Sequence, residues 1–482
     1  MKARFTSSLM CIAALLSSCG GGGGSSSGGS VSVVPSGGTV TPTPSATSAG
    51  SGCTLRERQD WALAQLREWY LFPETLPASL DPTPYASVSA YVDALTATAR
   101  SQRRDRYFTY LTSIADENAY YNSGATAGFG FRLTSDATAR RVFIAETFEN
   151  TPALAAGIDR GTEIVAIGTS ASDLRTVDAI IAAEGTGGVT NALGPSTAGT
   201  TRVLRITDAA GTRNVTVAKA DYGLLPVSNR YGAKVINDGG RLVGYVNLRT
   251  FISTADPALR DAFAQFRAQG ITNIIVDLRY NGGGLVSIAE LMGNLLGRNR
   301  STSEVFSYTT FRSEKSSSNS TRNFAPQSQS VAPTKVAFIG TGNSASASEL
   351  VINAFIPYLH GSAALIGTNT YGKPVGQIAL DRSQCDDRLR VIAFATQNVA
   401  RQGNYYDGLA NTVEASCQAG DDITHQLGDP QEASTRQALN FLAGQSCTPI
   451  ATITTASLGS RPRALLTPAA PDTAQRETPG LF

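Results

Sequence analysis

The chain has 482 residues, of which 41% are hydrophobic and 16% charged, and its formal net charge is +2. This length exceeds what one hydrophobic core usually supports, so two or three folded domains are expected. The small net charge, with no block of like charge, excludes the cationic field of a nucleic-acid-binding protein and favours a protein or peptide partner.

The first 18 residues have the pattern of a bacterial lipoprotein signal peptide. Lys2 and Arg4 form a positive start, and the apolar run over residues 9–16 is too short to span a bilayer. The next residues, Ser-Ser-Cys, complete a segment that resembles a lipobox, in which the cysteine, here Cys19, is lipidated. Gly20 follows it, which by the same resemblance favours an outer-membrane lipoprotein of a Gram-negative cell envelope, facing the periplasm or the cell surface. A plain signal peptide with an unmodified cysteine is the alternative.

Residues 19–51 consist almost entirely of Gly, Ser, Thr, Pro, Val and Ala, without apolar periodicity. Such a segment cannot bury enough apolar surface to offset the entropy lost on ordering. It is predicted to be a tether between the lipid anchor and the folded domains.

Four cysteines lie beyond the tether, and an even number in an exported chain predicts two disulfides. These cysteines are Cys53, Cys385, Cys417 and Cys447. Three pairings are possible, and we predict Cys385 with Cys417 and Cys53 with Cys447, which would bring the ends of the chain together. Metal binding is the alternative, but there is no Cys-x-x-Cys pair, and the two histidines lie outside metal-ligand spacing. No metal or organic cofactor is predicted.

The folded part is predicted to begin with a small helical domain over residues 52–121. Its apolar residues recur at helical spacing, for example at Leu63, Leu66 and Tyr70. Over residues 122–222 the pattern changes to short β-rich runs separated by Gly and Thr. This change predicts a compact, mostly β domain of about a hundred residues.

Strands and helices alternate over residues 223–448, which predicts an α/β domain. Residues 274–278 and 336–339 are short apolar runs typical of buried strands, each followed by a small-residue turn and a helical stretch. Residues 449–482 are rich in Thr, Ala and Pro and are predicted to be a disordered tail. The predicted fold class is therefore multi-domain α/β.

Three segments of the α/β domain carry the residues expected to do chemistry, because active sites collect at turns that follow the buried strands of open α/β sheets. They are D-L-R-Y-N-G-G-G at residues 277–284, G-N-S-A-S-A-S-E at residues 342–349, and G-T-N-T-Y-G-K-P-V-G-Q at residues 367–377. Each alone has an ordinary interpretation, since serines cap helices and glycines form turns.

The third segment contains Lys373, one of only six lysines among 40 basic residues. Arginine cannot serve as a base, whereas a desolvated lysine can. A serine needs such a partner to become a nucleophile. A serine turn together with this lysine therefore indicates nucleophilic catalysis.

In this order, the three segments resemble the hallmarks of the C-terminal processing, or tail-specific, serine peptidase family, over residues 55–445. The resemblance implies that Ser346, the central serine of S-A-S-A-S-E, is the nucleophile. It implies that Lys373 is the base and that Gln377 orients this lysine. It also implies a ClpP/crotonase-like sheet in the catalytic domain.

The same resemblance implies that the main-chain amides of Gly283 and Ala347 stabilise the oxyanion. Each such donor contributes roughly 3 to 4 kcal/mol where water is excluded. To accept the serine proton, Lys373 must be neutral, so its pKa must lie well below the usual value of about 10.4. Ser344 and Ser348 are expected to be turn and capping residues.

The β-rich segment resembles the PDZ domain of that family. Residues 151–167 match its signature, with Thr151 in place of serine and Thr162 in place of aspartate. A preceding loop matches the one that cradles a peptide carboxylate through backbone amides. This loop consists of Gly128, Phe129, Gly130 and Phe131. The resemblance implies binding of substrates with a free C-terminus; the alternative is that the glycines only turn a hairpin.

These features predict a serine endopeptidase that cleaves periplasmic or surface proteins, near or from their C-termini, through an acyl-enzyme. The alternative from another class is a catalytically silent, peptide-binding envelope lipoprotein. Acyl transfer on cell-wall or β-lactam substrates is disfavoured because the Ser-x-x-Lys spacing is absent at the nucleophile. A Ser-His-Asp triad is disfavoured because His360 follows the nucleophile helix and His425 lies in a predicted surface segment.

Overall fold

The computed structural model of the chain describes residues 52–451 and 463–482. The predicted signal peptide, the lipidation site Cys19 and the tether over residues 19–51 lie outside the described residues. Within the described ranges, no helix combines the length and the apolar character needed to cross a membrane.

The described chain begins with three helices, a short strand and a fourth helix: α1 (Leu55–Trp69), α2 (Val88–Leu95), α3 (Ala97–Ser101), β1 (Tyr110–Ser113) and α4 (Ile114–Ser123). Polar side chains fix where the helices begin. Thr54 and Glu57 exchange hydrogen bonds at the start of α1, and Ser87 and Ser113 accept main-chain N–H groups at the starts of α2 and α4.

The next part is a β-rich unit over residues 125–223. Its elements are β2 (Ala125–Gly128), β3 (Phe131–Asp136), β4 (Arg141–Thr147), α5 (Pro152–Ala155), β5 (Glu163–Gly168), β6 (Arg175–Thr176), α6 (Val177–Leu193), β7 (Thr201–Asp208), β8 (Gly211–Ala218) and β9 (Ala220–Gly223). An antiparallel sheet has the order β3-β4-β5-β7-β8, and β2 pairs with β9. Its apolar side chains form one core with those of α6.

The remaining elements up to residue 442 are β10 (Ala233–Asp238), β11 (Arg241–Asn247), α7 (Ala255–Ala268), β12 (Asn273–Asp277), α8 (Val286–Leu296), β13 (Val305–Phe311), β14 (Ser320–Asn323), β15 (Lys335–Gly340), α9 (Ala347–Leu359), β16 (Ala363–Gly367), β17 (Val375–Arg382), β18 (Asp387–Gln397), β19 (Ala415–Gln418) and α10 (Ala433–Leu442). A six-stranded sheet has the order β10-β11-β12-β15-β16-β19, with all neighbours parallel except β10 and β11.

Both faces of this sheet are covered by helices, which explains the continuous apolar runs of its strands. On one face, Ile274 and Val276 of β12 share a core with α7, α8 and α9. On the other face, Ile275 packs in a core that includes α10. The multi-domain α/β class expected from the sequence is therefore present.

The N-terminal helices do not form a core of their own, in contrast to the small separate domain predicted over residues 52–121. A second sheet has the order β1-β18-β13-β14, with β17 also paired to β18. Leu66 of α1 and Val92 of α2 are fully buried in a core that includes Leu389 and Val391 of β18. The helices therefore pack on the second sheet as part of the α/β domain, and this packing of their apolar faces stabilises them.

The described part of the predicted disordered tail is ordered, which corrects that prediction. Residues 463–482, here named the tail segment, contain β20 (Ala464–Leu465) and α11 (Thr473–Glu477). β20 pairs with β3, and Leu466, Leu481 and Phe482 are each at most 3% exposed. The Thr-, Ala- and Pro-rich composition obscures these few apolar anchors, which are sufficient to hold the segment against other parts of the chain.

The structure contains the two expected disulfides, but the predicted pairing is wrong. Cys53 is bonded to Cys385 and Cys417 to Cys447. Cys53 lies just before α1, which packs on β18, and Cys385 lies in the turn that leads into β18. Cys417 is in β19, next to the chain that leaves α10. Pairing is set by these neighbours and not by the ends of the chain.

Candidate active site

Two small-residue turns lie side by side at one edge of the six-stranded sheet. β12 and β15 are adjacent parallel strands, so the turns that follow them leave the sheet at the same edge. Oγ of Ser344 and Oγ of Ser348, both in or next to the second turn, donate hydrogen bonds to main-chain carbonyls of the first turn over 2.7 and 3.0 Å. These two serines therefore hold the turns together.

Ser346, between them, differs in exposure and in backbone geometry. It is half-buried, whereas Ser344 and Ser348 are buried. Its φ of 55° and ψ of −113° place a non-glycine residue in a disfavoured region, at a cost of about 1–3 kcal/mol. It immediately precedes α9, where the first main-chain N–H groups have no partner inside the helix. Ser346 is therefore the serine of this turn that a substrate can reach, and it lies at the start of α9.

Glu349 joins the serine turn to the lysine loop. Its Oε2 accepts the main-chain N–H of Ser346 over 3.1 Å and that of Lys373 over 2.7 Å. Its Oε1 accepts the N–H of Gly372 over 2.7 Å. The carboxyl group is fully buried, and this burial raises its pKa. Glu349 is a functional residue that the motifs did not reveal, although its position at the end of S-A-S-A-S-E was an available signal.

Lys373 is buried, and its ammonium nitrogen lies 3.2 Å from Oε1 of Gln377. Gln377 is itself held by a hydrogen bond from its amide nitrogen to the carbonyl of Phe108. The ammonium also lies 4.9 Å from the centre of the Phe108 ring. The expected positioning of the lysine by Gln377 thus corresponds to a direct contact.

Burial lowers the pKa of Lys373 from its ordinary value. Charged neighbours act in both directions: Glu477 and Asp105 raise the pKa, and Arg390 and Arg476 lower it. Because burial is the largest effect, the neutral amine is available at a lower pH than for a solvated lysine. This is the direction that a general base requires.

The two expected oxyanion donors lie next to each other, but one of them is engaged. Gly283 has φ of 121°, and a Cβ there would lie 2.8 Å from Cβ of Ser346 and 3.3 Å from the nitrogen of Ala347. Only glycine allows this approach. The N–H of Gly283, however, donates to Oδ1 of Asn281 over 2.9 Å. In this structure the Gly283 amide does not point into an open oxyanion hole.

Buried ion pairs fix the first turn. Arg279 donates to both carboxylate oxygens of Asp277 and, through two nitrogens, to Glu432 over 2.8 Å each. All three side chains are fully buried. Such a group is costly to disrupt because an unpaired buried charge would remain. Residues 277–279 thus support the turn and do not face the substrate. Sequence reasoning missed the contribution of Glu432 because this residue lies far along the chain.

The loop of the β-rich unit is occupied by the tail segment. The N–H groups of Gly130 and Phe131 donate to the main-chain oxygen of Phe482 over 3.0 and 3.3 Å. A Cβ at Gly128 would lie 2.7 Å from the carbonyl carbon of Phe482. Phe129 lies in the apolar core below, together with the Phe482 ring. The predicted loop therefore presents its amides to a peptide, which is a part of the same chain.

A cleft cavity of about 270 Å³ adjoins the lysine and the two turns. Gly282, Ala345 and Lys373 line it from the α/β domain, and Arg476 and Glu477 line it from the tail segment. Both histidines lie elsewhere: Nδ1 of His360 is 2.8 Å from Glu414, and Nδ1 of His425 is 2.6 Å from Asp422. Within residues 52–451 and 463–482, no group of three or more His, Cys, Asp or Glu side chains is arranged to hold a metal ion.

Part of the chain is similar in sequence to known peptidases. Residues 242–403, which include the turn of residues 277–284, Ser346 and Lys373, match peptidase family S41. The chain is 25% identical over 338 residues to a chloroplastic carboxyl-terminal-processing peptidase 3 of Arabidopsis thaliana, covering 68% of this chain and 60% of the relative. It is 26% identical over 252 residues to a carboxyl-terminal-processing protease of a Picosynechococcus species, covering 52% and 55%. The chain thus spans somewhat more than half the length of these relatives.

A crystal structure of an S41 protease from Bacteroides fragilis has a similar fold. The TM-score is 0.61 at 22% identity, and the alignment covers 80% of this chain and 97% of that one. At this identity the likeness is one of fold. The likeness extends well beyond residues 242–403, so the two proteins also share the fold of the surrounding chain.

Proposed function

We propose that the chain is a serine endopeptidase of peptidase family S41, which its residues 242–403 match, and that Ser346 is the nucleophile and Lys373 the general base. The observation that carries the proposal is the shared carboxylate of Glu349. The main-chain nitrogens of Ser346 and Lys373 lie 3.1 and 2.7 Å from one oxygen of that group. The two residues are thus held together although 27 positions separate them in the sequence.

The proposed reaction begins when the neutral amine of Lys373 accepts the Oγ proton as Oγ of Ser346 attacks the peptide carbonyl carbon. The negative oxygen that forms is stabilised by the Ala347 amide and by the Gly283 amide, which must first turn away from Oδ1 of Asn281. The C–N bond then breaks, and the lysine gives the proton to the leaving amine, which leaves an ester on Ser346. A water molecule, deprotonated by the lysine, attacks the ester; the C–Oγ bond breaks and the proton returns to Oγ.

We further propose that the β-rich unit is a PDZ-like domain that presents protein substrates to this site by their C-termini. The amides of Gly130 and Phe131 both donate to one peptide oxygen, and a strand partner is accepted along β3. Arg132, next in the chain, donates to the carbonyl of Tyr280 over 2.6 Å. The peptide-binding loop and the first catalytic turn are therefore in direct contact.

The location proposed from the sequence is the cell envelope, with a lipid anchor at Cys19. The two disulfides support an oxidising compartment. Metabolic labelling with a clickable palmitate tests the anchor: wild-type protein should incorporate the label and Cys19→Ala should not. Equal labelling of both would overturn it.

The proposed reaction is tested by labelling the chain with a fluorophosphonate and mapping the adduct by mass spectrometry. A single adduct on the peptide that contains Ser346, absent from Lys373→Met, is expected. If neither the full chain nor a variant lacking the tail segment is labelled or cleaves an unfolded protein, the catalytically silent peptide-binding alternative holds instead.

A further inference from the structure

The tail segment passes over both places at which a substrate of the proposed peptidase would bind. Its last residues lie in the loop of the β-rich unit, and α11 lies at the cleft cavity beside Lys373. Residues 463–482 thus contact both the peptide-binding loop and the catalytic cleft.

At the β-rich unit, the tail segment is bound as an added strand. The Phe482 N–H donates to the carbonyl of Phe131 over 2.9 Å, and the N–H of Leu133 donates to the carbonyl of Gly480 over 2.9 Å. Leu481 forms an antiparallel bridge with Arg132. Together with β20, these residues cover the edge of β3. Strand addition of this type is the mode by which an exposed sheet edge binds a peptide.

The side chains follow the same pattern. Phe482 is 3% exposed and lies in the core of the β-rich unit. Leu481 is 2% exposed and packs with Tyr120 and Phe148. These two successive side chains of the added strand point to opposite sides and enter two different apolar clusters. An external chain that uses this edge must displace them.

At the catalytic cleft, the contact is made by the main chain of α11. The N–H of Gly282 donates to the carbonyl of Glu477 over 3.0 Å. A Cβ at Gly282 would lie 2.6 Å from the carbonyl oxygen of Arg476. Gly282 immediately precedes Gly283, which packs on Ser346. The tail segment therefore lies against the turn that borders the nucleophile.

The tail segment is not bound there as a substrate would be. A protease acts on an extended chain, but residues 473–477 are helical, and the Asp472 and Gln475 side chains cap the helix. The carboxylate of Glu477 is buried and accepts a hydrogen bond from Tyr121 over 3.1 Å. It also faces Lys373, and its negative charge favours the protonated amine, which cannot act as a base.

We propose that residues 463–482 are a built-in ligand that closes the peptide-binding edge of the β-rich unit and the catalytic cleft at the same time, and that a protein substrate must displace them. The blocking of the cleft rests on the function proposed above; the occupation of the β-rich unit does not. A substrate with an apolar C-terminal residue competes with Leu481 and Phe482, so release of the cleft is coupled to recognition of a suitable chain.

The binding part is tested on the inactive Ser346→Ala chain with a fluorescein-labelled heptapeptide of residues 476–482. We expect at least tenfold tighter binding when Phe482→Asp is added, because the built-in ligand no longer competes. The matched control is Leu55→Asp, which places the same charge at a leucine 40% exposed in the first turn of α1, where an acidic residue is tolerated. Equal affinity of all three proteins would overturn the proposal.

Hydrogen exchange provides a measurement without a destabilising substitution. In the Ser346→Ala chain the Phe482 N–H is hydrogen-bonded to Phe131 and should exchange slowly. A saturating amount of unlabelled heptapeptide should increase its exchange rate at least tenfold, while amides in α7 remain unchanged. Unchanged protection of Phe482 at peptide saturation would contradict displacement.

The activity part compares initial rates of cleavage of fluorescein-labelled casein. Phe482→Asp in the Ser346 background should raise the rate at least tenfold over the full chain. If no variant cleaves casein but the peptide binds as expected, the proposed function fails and the built-in ligand stands. If all variants cleave at one rate, the tail segment does not block the cleft.

Discussion

Ser346 and Lys373 donate their main-chain N–H groups to the same oxygen atom, Oε2 of Glu349, over 3.1 and 2.7 Å. One buried carboxylate therefore sets the separation between the proposed nucleophile and the proposed base. The geometry depends on the backbone of both loops, and so it persists when either side chain is replaced. Side-chain substitutions at the two residues can consequently test chemistry separately from folding.

The first prediction concerns these two side chains. Ser346→Ala and Lys373→Met should each reduce casein cleavage by at least a thousandfold, because each removes a group that cannot be substituted in acyl transfer. The free energy of unfolding in guanidinium should fall by no more than about 1–2 kcal/mol, because Lys373 loses one hydrogen bond to Gln377 and Ser346 loses its capping hydroxyl at the start of α9. Ser287→Ala, at an exposed serine of α8, is the control. Near-normal activity of both variants would contradict the assignment.

The second prediction concerns Glu349. Glu349→Gln keeps the shape, but an amide nitrogen replaces one of two acceptor oxygens that together bind three N–H groups. We expect a loss of about 1–3 kcal/mol in stability from the unpaired donors. The value of kcat should fall by about ten- to a hundredfold with little change in KM, because the two reacting residues move relative to each other.

Denaturation and steady-state kinetics measure these two effects for Glu349→Gln. Glu304→Gln, which changes a partly exposed ion pair with Arg300, is the matched control and should leave both quantities nearly unchanged. A variant that loses stability but keeps the full kcat would show that Glu349 supports the fold without positioning the catalytic pair.

The third prediction concerns pH. Lys373 must be neutral to act, so kcat/KM should rise with pH through its pKa, which burial lowers. Glu477 raises this pKa by favouring the ammonium; replacing it by glutamine removes that effect, so the pKa falls and the midpoint of the acidic limb moves to lower pH. Asp105, Arg390 and Arg476 remain in place. Glu414→Gln, on the exposed partner of His360, should not move it. If the acidic midpoint of kcat/KM moved to higher pH in Glu477→Gln, the prediction would be contradicted.

The fourth prediction concerns the disulfides. Cys417 and Cys447 are 30 positions apart and Cys53 and Cys385 are 332 apart. On the chain-entropy relation, the first bond contributes about 4 kcal/mol and the second about 6 kcal/mol. Paired Cys→Ser replacement within each bond should therefore lower the denaturation midpoint, with the larger loss for the longer loop. Non-reducing peptide mapping that recovers Cys385 linked to Cys417 would contradict the pairing.

Sequence reasoning located the catalytic turns because their signals are local. A short apolar run followed by glycines or serines indicates a buried strand and a turn. The resemblance of the three segments to a peptidase family then selected Ser346 and Lys373 as the proposed pair. The role of Glu349 could not be found in the same way. Its three donors come from two loops, and only the folded chain shows that residues 372 and 373 return to the start of α9.

The prediction of disorder in the tail segment was wrong for a different physical reason. Order there depends on Leu466 and on the adjacent pair Leu481 and Phe482. Residues of low hydrophobicity separate Leu466 from this pair, and no apolar periodicity connects them. Their stability comes from surfaces on β3 and in the β-rich core, far away in the sequence. Composition averaged over residues 449–482 therefore predicted disorder, and the same long-range dependence made the disulfide pairing unpredictable.

The last prediction concerns recognition of a carboxylate by the β-rich unit. The amides of Gly130 and Phe131 both donate to one main-chain oxygen of Phe482. Hydrogen bonds to a charged acceptor are stronger than those to a neutral one, so two amides directed at one oxygen favour a carboxylate over a carboxamide. An apolar peptide should therefore bind Ser346→Ala/Phe482→Asp more tightly as the free acid than as the amide. A difference of about 1.5–3 kcal/mol, roughly ten- to a hundredfold, is expected.

Fluorescence anisotropy measures both affinities, and addition of Gly128→Val is the control. A side chain at position 128 would occupy the place of the bound carbonyl, since even a Cβ would lie 2.7 Å from the carbonyl carbon of Phe482. Both forms of the peptide should then bind weakly. If acid and amide bind the parent protein equally while Gly128→Val still prevents binding, the groove accepts the peptide through strand addition and side-chain burial, without reading its charge. Substrate choice by a free C-terminus would then have no basis in the β-rich unit.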